Sequence, residues 1–271
     1  TVTNEADKTA KVNVGGAIAL YEKALTLDPK DASIYYKLAR AYEKAEQWQP
    51  MESALARATM LEPDVPSYPY LHGYALVQLG LEGDTSAFQR AKPVLLRCIE
   101  LDRYHADCHA LLGVASEATL DMQVALQSYT RAIEADPARA KNYVALGTLY
   151  YNLDRPSEAN EVFERGSEEV APGENNRLAL SALHLAWSQV AAASGDTAAE
   201  VVQLEKANAL AAGTPQIEFR LGRAYAVNGR NDDAKVVFSA FSKRVCRGAL
   251  AQKFRSECDQ TRIWLHRLEQ Q

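Results

Sequence analysis

The sequence predicts an all-helical solenoid of short stacked units, and three observations carry that prediction. Stretches of the chain recur 34 residues apart: Leu112-Gly113 returns as Leu146-Gly147, Ala125 as Ala159, Tyr129 as Phe163, and Pro29 as Pro63. Apolar residues within each copy sit three and four apart, which is a helical spacing, and no run alternates with a period of two. Small residues (Gly113, Ala125, Ala132) mix with large ones (Leu112, Tyr129) in the same register. The small ones let antiparallel helix backbones approach, and the large ones fill the space between successive pairs. A unit this short cannot close a hydrophobic core alone and must stack on its neighbours.

Taken in order, residues 1–271 read as a single array. Residues 13–31 form a partial first repeat, carried by Ala17, Tyr21, Ala24 and Pro29. Its first helix, within Thr1–Val12, matches poorly and is expected to be frayed or incomplete. The second unit, 32–65, has Tyr35, Leu38, Ala39, Tyr42, Leu55, Ala58 and Pro63. The third, 66–105, has Gly73, Leu76, Ala91, Leu95 and Cys98, with extra residues around Leu81–Gln89 between its helices. The fourth, 106–139, carries Gly113, Ala125, Tyr129, Ala132 and Pro137. The fifth, 140–180, is lengthened at Glu168–Asn176. The sixth, 181–214, is degenerate: Trp187, Ser188 and Glu200 stand where Leu, Gly and Ala recur elsewhere. The seventh, 215–248, recovers with Leu221, Gly222, Tyr225, Ala234 and Phe238, and 249–271 reads as a capping helix. Pro29, Pro63 and Pro137 each follow an acidic residue and stop the second helix of their unit. About fourteen or fifteen helices follow from this register.

Tyr143-x2-Leu146-Gly147-x2-Tyr150 followed by Ala159-x3-Phe163 resembles the tetratricopeptide (TPR) pattern, with Tyr in the first aromatic slot. One such motif is weak evidence, whereas six or seven copies in register are strong. The resemblance covers nearly the whole chain and implies a right-handed superhelix of antiparallel helix pairs. In TPR proteins the first helix of each unit lines a concave groove. Carried onto this sequence, the groove positions are Tyr36, Arg40, Tyr70, Tyr74, Thr148, Tyr151, Asn152, Phe219 and Arg223. Aromatic and Arg side chains carry much of the energy at interfaces. Against this stands the plainer reading that the tyrosines pack on neighbouring helices. TPR domains that grip chaperone carboxylates use a Lys and Asn clamp. Here Tyr36 and Arg40, Tyr70 and Tyr74, Ala110 and Val114 hold those places, so that sub-type is not expected.

Charge narrows the partners. The net charge is −5, which gives no general attraction to phosphate, so nucleic acid is not expected. From Lys243 to Gln271 seven basic residues face three acids, which reads either as a solvated cap or as a docking patch for an acidic partner or anionic lipid. No apolar run approaches the roughly 18 residues that span a bilayer. The chain begins at Thr1 rather than Met, so removal of a signal or lipid anchor stays open.

The four cysteines fall into local pairs, Cys98/Cys108 and Cys246/Cys258. Ser256 and Asp259 form an S-x-x-D start signal that places the last helix near Glu257, with Cys258 in its first turn and within reach of Cys246. A start near Ala249 would instead put Cys258 several turns away and forbid the bridge. Cys98 and Cys108 read either as a bridge or as two buried thiols. Paired cysteines favour an oxidising compartment, with the cytoplasm as the alternative. Cys98, His105, Cys108 and His109 are zinc-type ligands, but their spacing fits no established zinc signature. No metal or other cofactor is expected.

No nucleophile elbow, phosphate-cradling glycine loop or H-E-x-x-H occurs, and the histidines are scattered, so no enzyme is expected. The Ala-rich units look bacterial. With the cysteine pairs, the chain resembles envelope TPR proteins that help assemble pili, secretins or other outer-membrane machines. The expected function is a non-enzymatic scaffold in the periplasm or cell envelope that binds an extended or helical segment of another protein. The alternative is a cytosolic adaptor or the regulatory TPR part of a signalling protein.

Overall fold

A computed structural model describes residues 2–270. These form sixteen helices and divide into two compact units, residues 1–136 and 137–271. The first unit holds α1 (Val2–Thr9), α2 (Val14–Leu27), α3 (Ala32–Lys44), α4 (Trp48–Leu61), α5 (Ser67–Leu81), α6 (Ser86–Leu101), α7 (Ala106–Ala118) and α8 (Met122–Ala135). The second holds α9 (Ala140–Asn152), α10 (Pro156–Glu169), α11 (Arg177–Ala193), α12 (Thr197–Leu210), α13 (Pro215–Val227), α14 (Asn231–Val245), α15 (Gly248–Lys253) and α16 (Arg255–Glu269). No strand occurs among the described residues.

Helix pairing follows the small-to-large register. Gly113 of α7 lies against the ring of Tyr129 on α8, where an added Cβ would come within 2.5 Å. Gly147 meets Phe163 and Gly222 meets Phe238 in the same way, at 2.5 Å and 2.8 Å. The three rings are almost wholly buried. Cys98 occupies the slot that Ala58 and Ala132 occupy in their own units, all with no exposed surface.

The turns inside the six pairs from α3–α4 to α13–α14 share one geometry that the sequence hides. Glu46, Gly83, Leu120, Asp154, Gly195 and Gly229 all have positive φ. After each, the next residue's N–H reaches back to a carbonyl five residues before it, as in Gln47 to Tyr42 (2.9 Å) and Arg155 to Tyr150 (3.0 Å). This is a Schellman-type ending, which satisfies last-turn carbonyls at the cost of a left-handed residue. Three of the six are not glycine, so the usual punctuation is missing from half of these turns.

Two expectations need correction. The first helix is not frayed: Ala6 is fully buried beside Ala17 and Tyr21. Tyr21 donates to Asp7 at 2.7 Å, and Lys37 donates to the other Asp7 oxygen at 2.8 Å. The expected single capping helix over 249–271 is two helices. Gly248 turns the chain at φ +62°, and the buried Phe254 ends the short α15 just before α16 begins. The extra break also raises the helix count above the expected fourteen or fifteen. Trp264 stacks on Phe238 at 6.3 Å, and Leu268 is buried with Phe241 and Val245, so α16 covers the end of the α13–α14 pair.

The core of the second unit holds a histidine. His184 on α11 is buried, with Nδ1 2.9 Å from Oε1 of Gln203 on α12. Burial pulls its pKa below the usual value, and the neighbouring Lys206 charge acts in the same direction while the Gln203 bond opposes it. Burial likewise lowers His72 in the first unit, with Glu52 opposing. The unfolded chain therefore takes up protons below about pH 6.5 that the folded chain refuses, and folding stability falls as pH drops through that window. Thermal midpoints are expected to be lower near pH 5.5 than near pH 7.5, with His184→Gln reducing the difference.

Candidate partner-binding surface

The first helices of successive pairs come together in each unit. In the first, α3 and α5 meet through the rings of Tyr36 and Tyr68, 5.4 Å apart, and α5 also lies against α7. In the second, α9 lies against α11, and α11 and α13 are joined by Arg220 donating to Ser188 at 3.2 Å.

The sequence-derived anchors fall into three groups. Tyr36, Tyr70 and Tyr74 are half-buried, and each leans on a neighbouring ring. Tyr70 lies 4.7 Å from the His105 ring, and Tyr74 meets Trp48 edge-on at 5.8 Å. These tyrosines pack, yet each keeps some surface open. Burial raises the Tyr74 phenol above its usual range, and the charges of Glu43 and Glu46 add to this. Arg40 is exposed and pairs with Glu43 at 2.7 Å. In the second unit Thr148 and Tyr151 are partly exposed, while Asn152 and Arg223 are open to solvent.

Phe219 is a correction. It is only 7% exposed and packs 6.1 Å from Phe238 and 5.9 Å from Phe241, inside the cluster that also holds Phe254 and Leu268. The ring is turned onto α14 of its own pair, and Phe254 and Leu268 of the C-terminal segment complete the cluster. Arg220, the next residue, is the half-buried group that reaches toward α11 instead. Arg220, Trp187 and Ser188 were not among the expected groove residues. The signal lay in Phe219, Phe238 and Phe241 together, three aromatics that a helix pair followed by an amphipathic tail tends to bury.

The cysteines meet as pairs. Cys246 and Cys258 are bonded, with Cα atoms 5.5 Å apart, because α16 begins at Arg255 and holds Cys258 in its first turn. The Ser256–Asp259 signal lies within that turn, but no side-chain capping bond forms at the start of α16. Cys98 and Cys108 are bonded at a Cα separation of 6.3 Å and join the end of α6 to the start of α7. His105 lies beside this pair, its donor atom within 4.8 Å of both sulfurs. Each sulfur is committed to the other, and the His105 Nδ1 already accepts from the Cys108 N–H at 3.3 Å. His109 turns away, its Nε2 3.0 Å from the Arg103 carbonyl oxygen. The four residues named as zinc-type ligands are therefore engaged elsewhere in this structure.

Comparison with known proteins fits this geometry. A family model described as a TPR repeat matches residues 13–45. The solved structure of MamA superposes with a TM-score of 0.56 over 60% of this chain and 93% of its own, at 25% identity. The chain therefore carries a TPR repeat and has the all-helical fold of TPR solenoids. It is also 29% identical over 108 residues to the type IV pilus assembly protein PilF of Pseudomonas aeruginosa. That match spans 38% of this chain and 42% of PilF, less than half of either. A stretch of 71 residues is 34% identical to mouse tetratricopeptide repeat protein 28, covering 26% of this chain but 3% of the mouse protein. No helix among the described residues is long and apolar enough to cross a membrane.

Proposed function

We propose that this protein is a non-enzymatic scaffold that binds a segment of a partner protein along the faces made by its first helices, in the assembly of a bacterial envelope complex. The observation that carries the binding reading is the row of half-buried rings Tyr36, Tyr70 and Tyr74 with the exposed Arg40 beside them. A face of this kind holds its aromatic side chains in place before a partner arrives, so little side-chain entropy remains to be lost on binding. Two pairs of bonded cysteines and the partial likeness to a pilus assembly protein support the envelope assignment.

Affinity capture from the envelope fraction of the source organism tests this. A partner retained by the natural chain is expected to be weakened by about 1–3 kcal/mol for each of Tyr36→Ala and Arg40→Glu, with helicity and thermal midpoint nearly unchanged for Arg40→Glu. Tyr70→Ala with Tyr74→Ala is expected to weaken it further, with some loss of stability because both rings pack on neighbours. Unchanged affinity in all of these variants overturns the reading.

A further inference from the structure

We propose that the second unit reads acidic residues in its partner, with Arg220 and Arg223 receiving a carboxylate. This rests on the interaction reading above and names the chemistry of the bound segment. Arg220 and Arg223 stand one turn apart on α13, the first half-buried and the second exposed. Among the described residues neither has a carboxylate within 4 Å, whereas Arg90, Arg97, Arg155, Arg165, Arg230 and Arg244 all do. The protein contact that Arg220 makes is a neutral one, donating to Ser188 Oγ at 3.2 Å, while that hydroxyl donates onward to the Leu185 carbonyl at 2.7 Å.

Such an arrangement is costly without an anion. A guanidinium taken partly out of water needs hydrogen-bond acceptors for its five donors, and here one is supplied. Burial pulls its pKa below the usual range and the like charge of Arg223 adds to this, while Glu200, more distant than an ion pair, opposes it. The planar fork of arginine matches a carboxylate with two parallel bonds, which a hydroxyl cannot supply. Tyr151 on α9 is close enough for its hydroxyl to act electrostatically on Arg220, so the polar groups of α9, α11 and α13 converge there. A polyanion such as nucleic acid fits less well, because the chain as a whole carries −5.

A random peptide library on beads, made with free and with amidated C-termini, is screened against the full chain and against Arg223→Gln and Arg220→Lys. Retained peptides are expected to be enriched in Asp and Glu, and to lose roughly tenfold in affinity with Arg223→Gln, the exposed position where folding is safe. Arg220→Lys keeps the charge but not the fork and is expected to weaken binding as well. Asp and Glu enrichment that persists with amidated peptides assigns the carboxylate to side chains, whereas retention that is lost on amidation overturns the inference. Peptides that depend on Tyr36 or Tyr70 but carry no excess of acids overturn this inference alone. Recovery of no peptide that any face substitution weakens overturns both it and the interaction reading. Preferential binding of single-stranded DNA at the same arginines would also overturn it.

Discussion

Replacing Gly147 with leucine is expected to destabilise the chain by about 3 kcal/mol or to prevent the second unit from folding. Even a Cβ at this position would lie 2.5 Å from Cε1 of Phe163, far inside contact distance. Phe163 has no exposed surface into which it could retreat, and Tyr143 and Leu183 are as fully buried in the same unit. The larger side chain therefore has to push α9 and α10 apart, which opens gaps on both sides of the wedge. Gly173→Leu serves as the control, because nothing lies within 4 Å of a Cβ added there. Urea unfolding measures the comparison: a large fall in midpoint for Gly147→Leu against a small one for Gly173→Leu. Equal midpoints would mean that the helix pair is not packed as described. Gly147→Ala combined with Phe163→Leu should recover part of the loss, since trimming the ring makes the space that the methyl needs.

Cys258→Ser is expected to cost about 3 kcal/mol, the value of closing a loop of this size in the chain-entropy model. The bond to Cys246 spans 12 residues and ties the start of α16 to the end of α14. What it holds in place is a cover: Phe254 and Leu268 close the cluster around Phe219, Phe238 and Phe241. Loss of the bond should lower the thermal midpoint and speed amide exchange first in α15 and α16. The natural protein, denatured without reductant, should show no titratable thiol. Four free thiols there would contradict the bridges and the envelope assignment together.

The repeat period was legible because it is written in side-chain size. Every Gly or Ala that meets a ring across a pair is a steric requirement, and such requirements recur at fixed spacing. What stayed hidden depended on partners far along the chain. The docking of α1 combines one small buried residue, Ala6, with the Asp7 contacts to Tyr21 and Lys37, too little apolar pattern for this segment to read as a repeat helix. Phe219 sits at a repeat position that points to the groove, yet it packs on Phe238 and Phe241 in a cluster that Phe254 and Leu268 close. That closure in turn depends on a break at Phe254 that no proline announces. The left-handed turn residues Glu46, Leu120 and Asp154 are likewise silent, because their geometry is imposed by the packed helices on either side.

The candidate face was legible in part for the same reason. Tyr36, Arg40, Tyr70 and Tyr74 follow from the register, but their ring partners Tyr68, His105 and Trp48 come from other slots. Arg220 escaped because a register assigns it no particular role. Its interest lies in what fails to approach it, and that is a property of the folded chain.

Site-specific photo-cross-linking tests the central claim most directly. A photoreactive residue is placed at Tyr36, Tyr70 or Arg223 on the first helices, and for comparison at Arg57 on α4 or Arg131 on α8, both exposed. One partner protein is expected to be captured from the first-helix positions and not from α4 or α8. Capture from Arg57 or Arg131, with none from Tyr36, Tyr70 or Arg223, would contradict the account and move the binding surface to the opposite side of each pair.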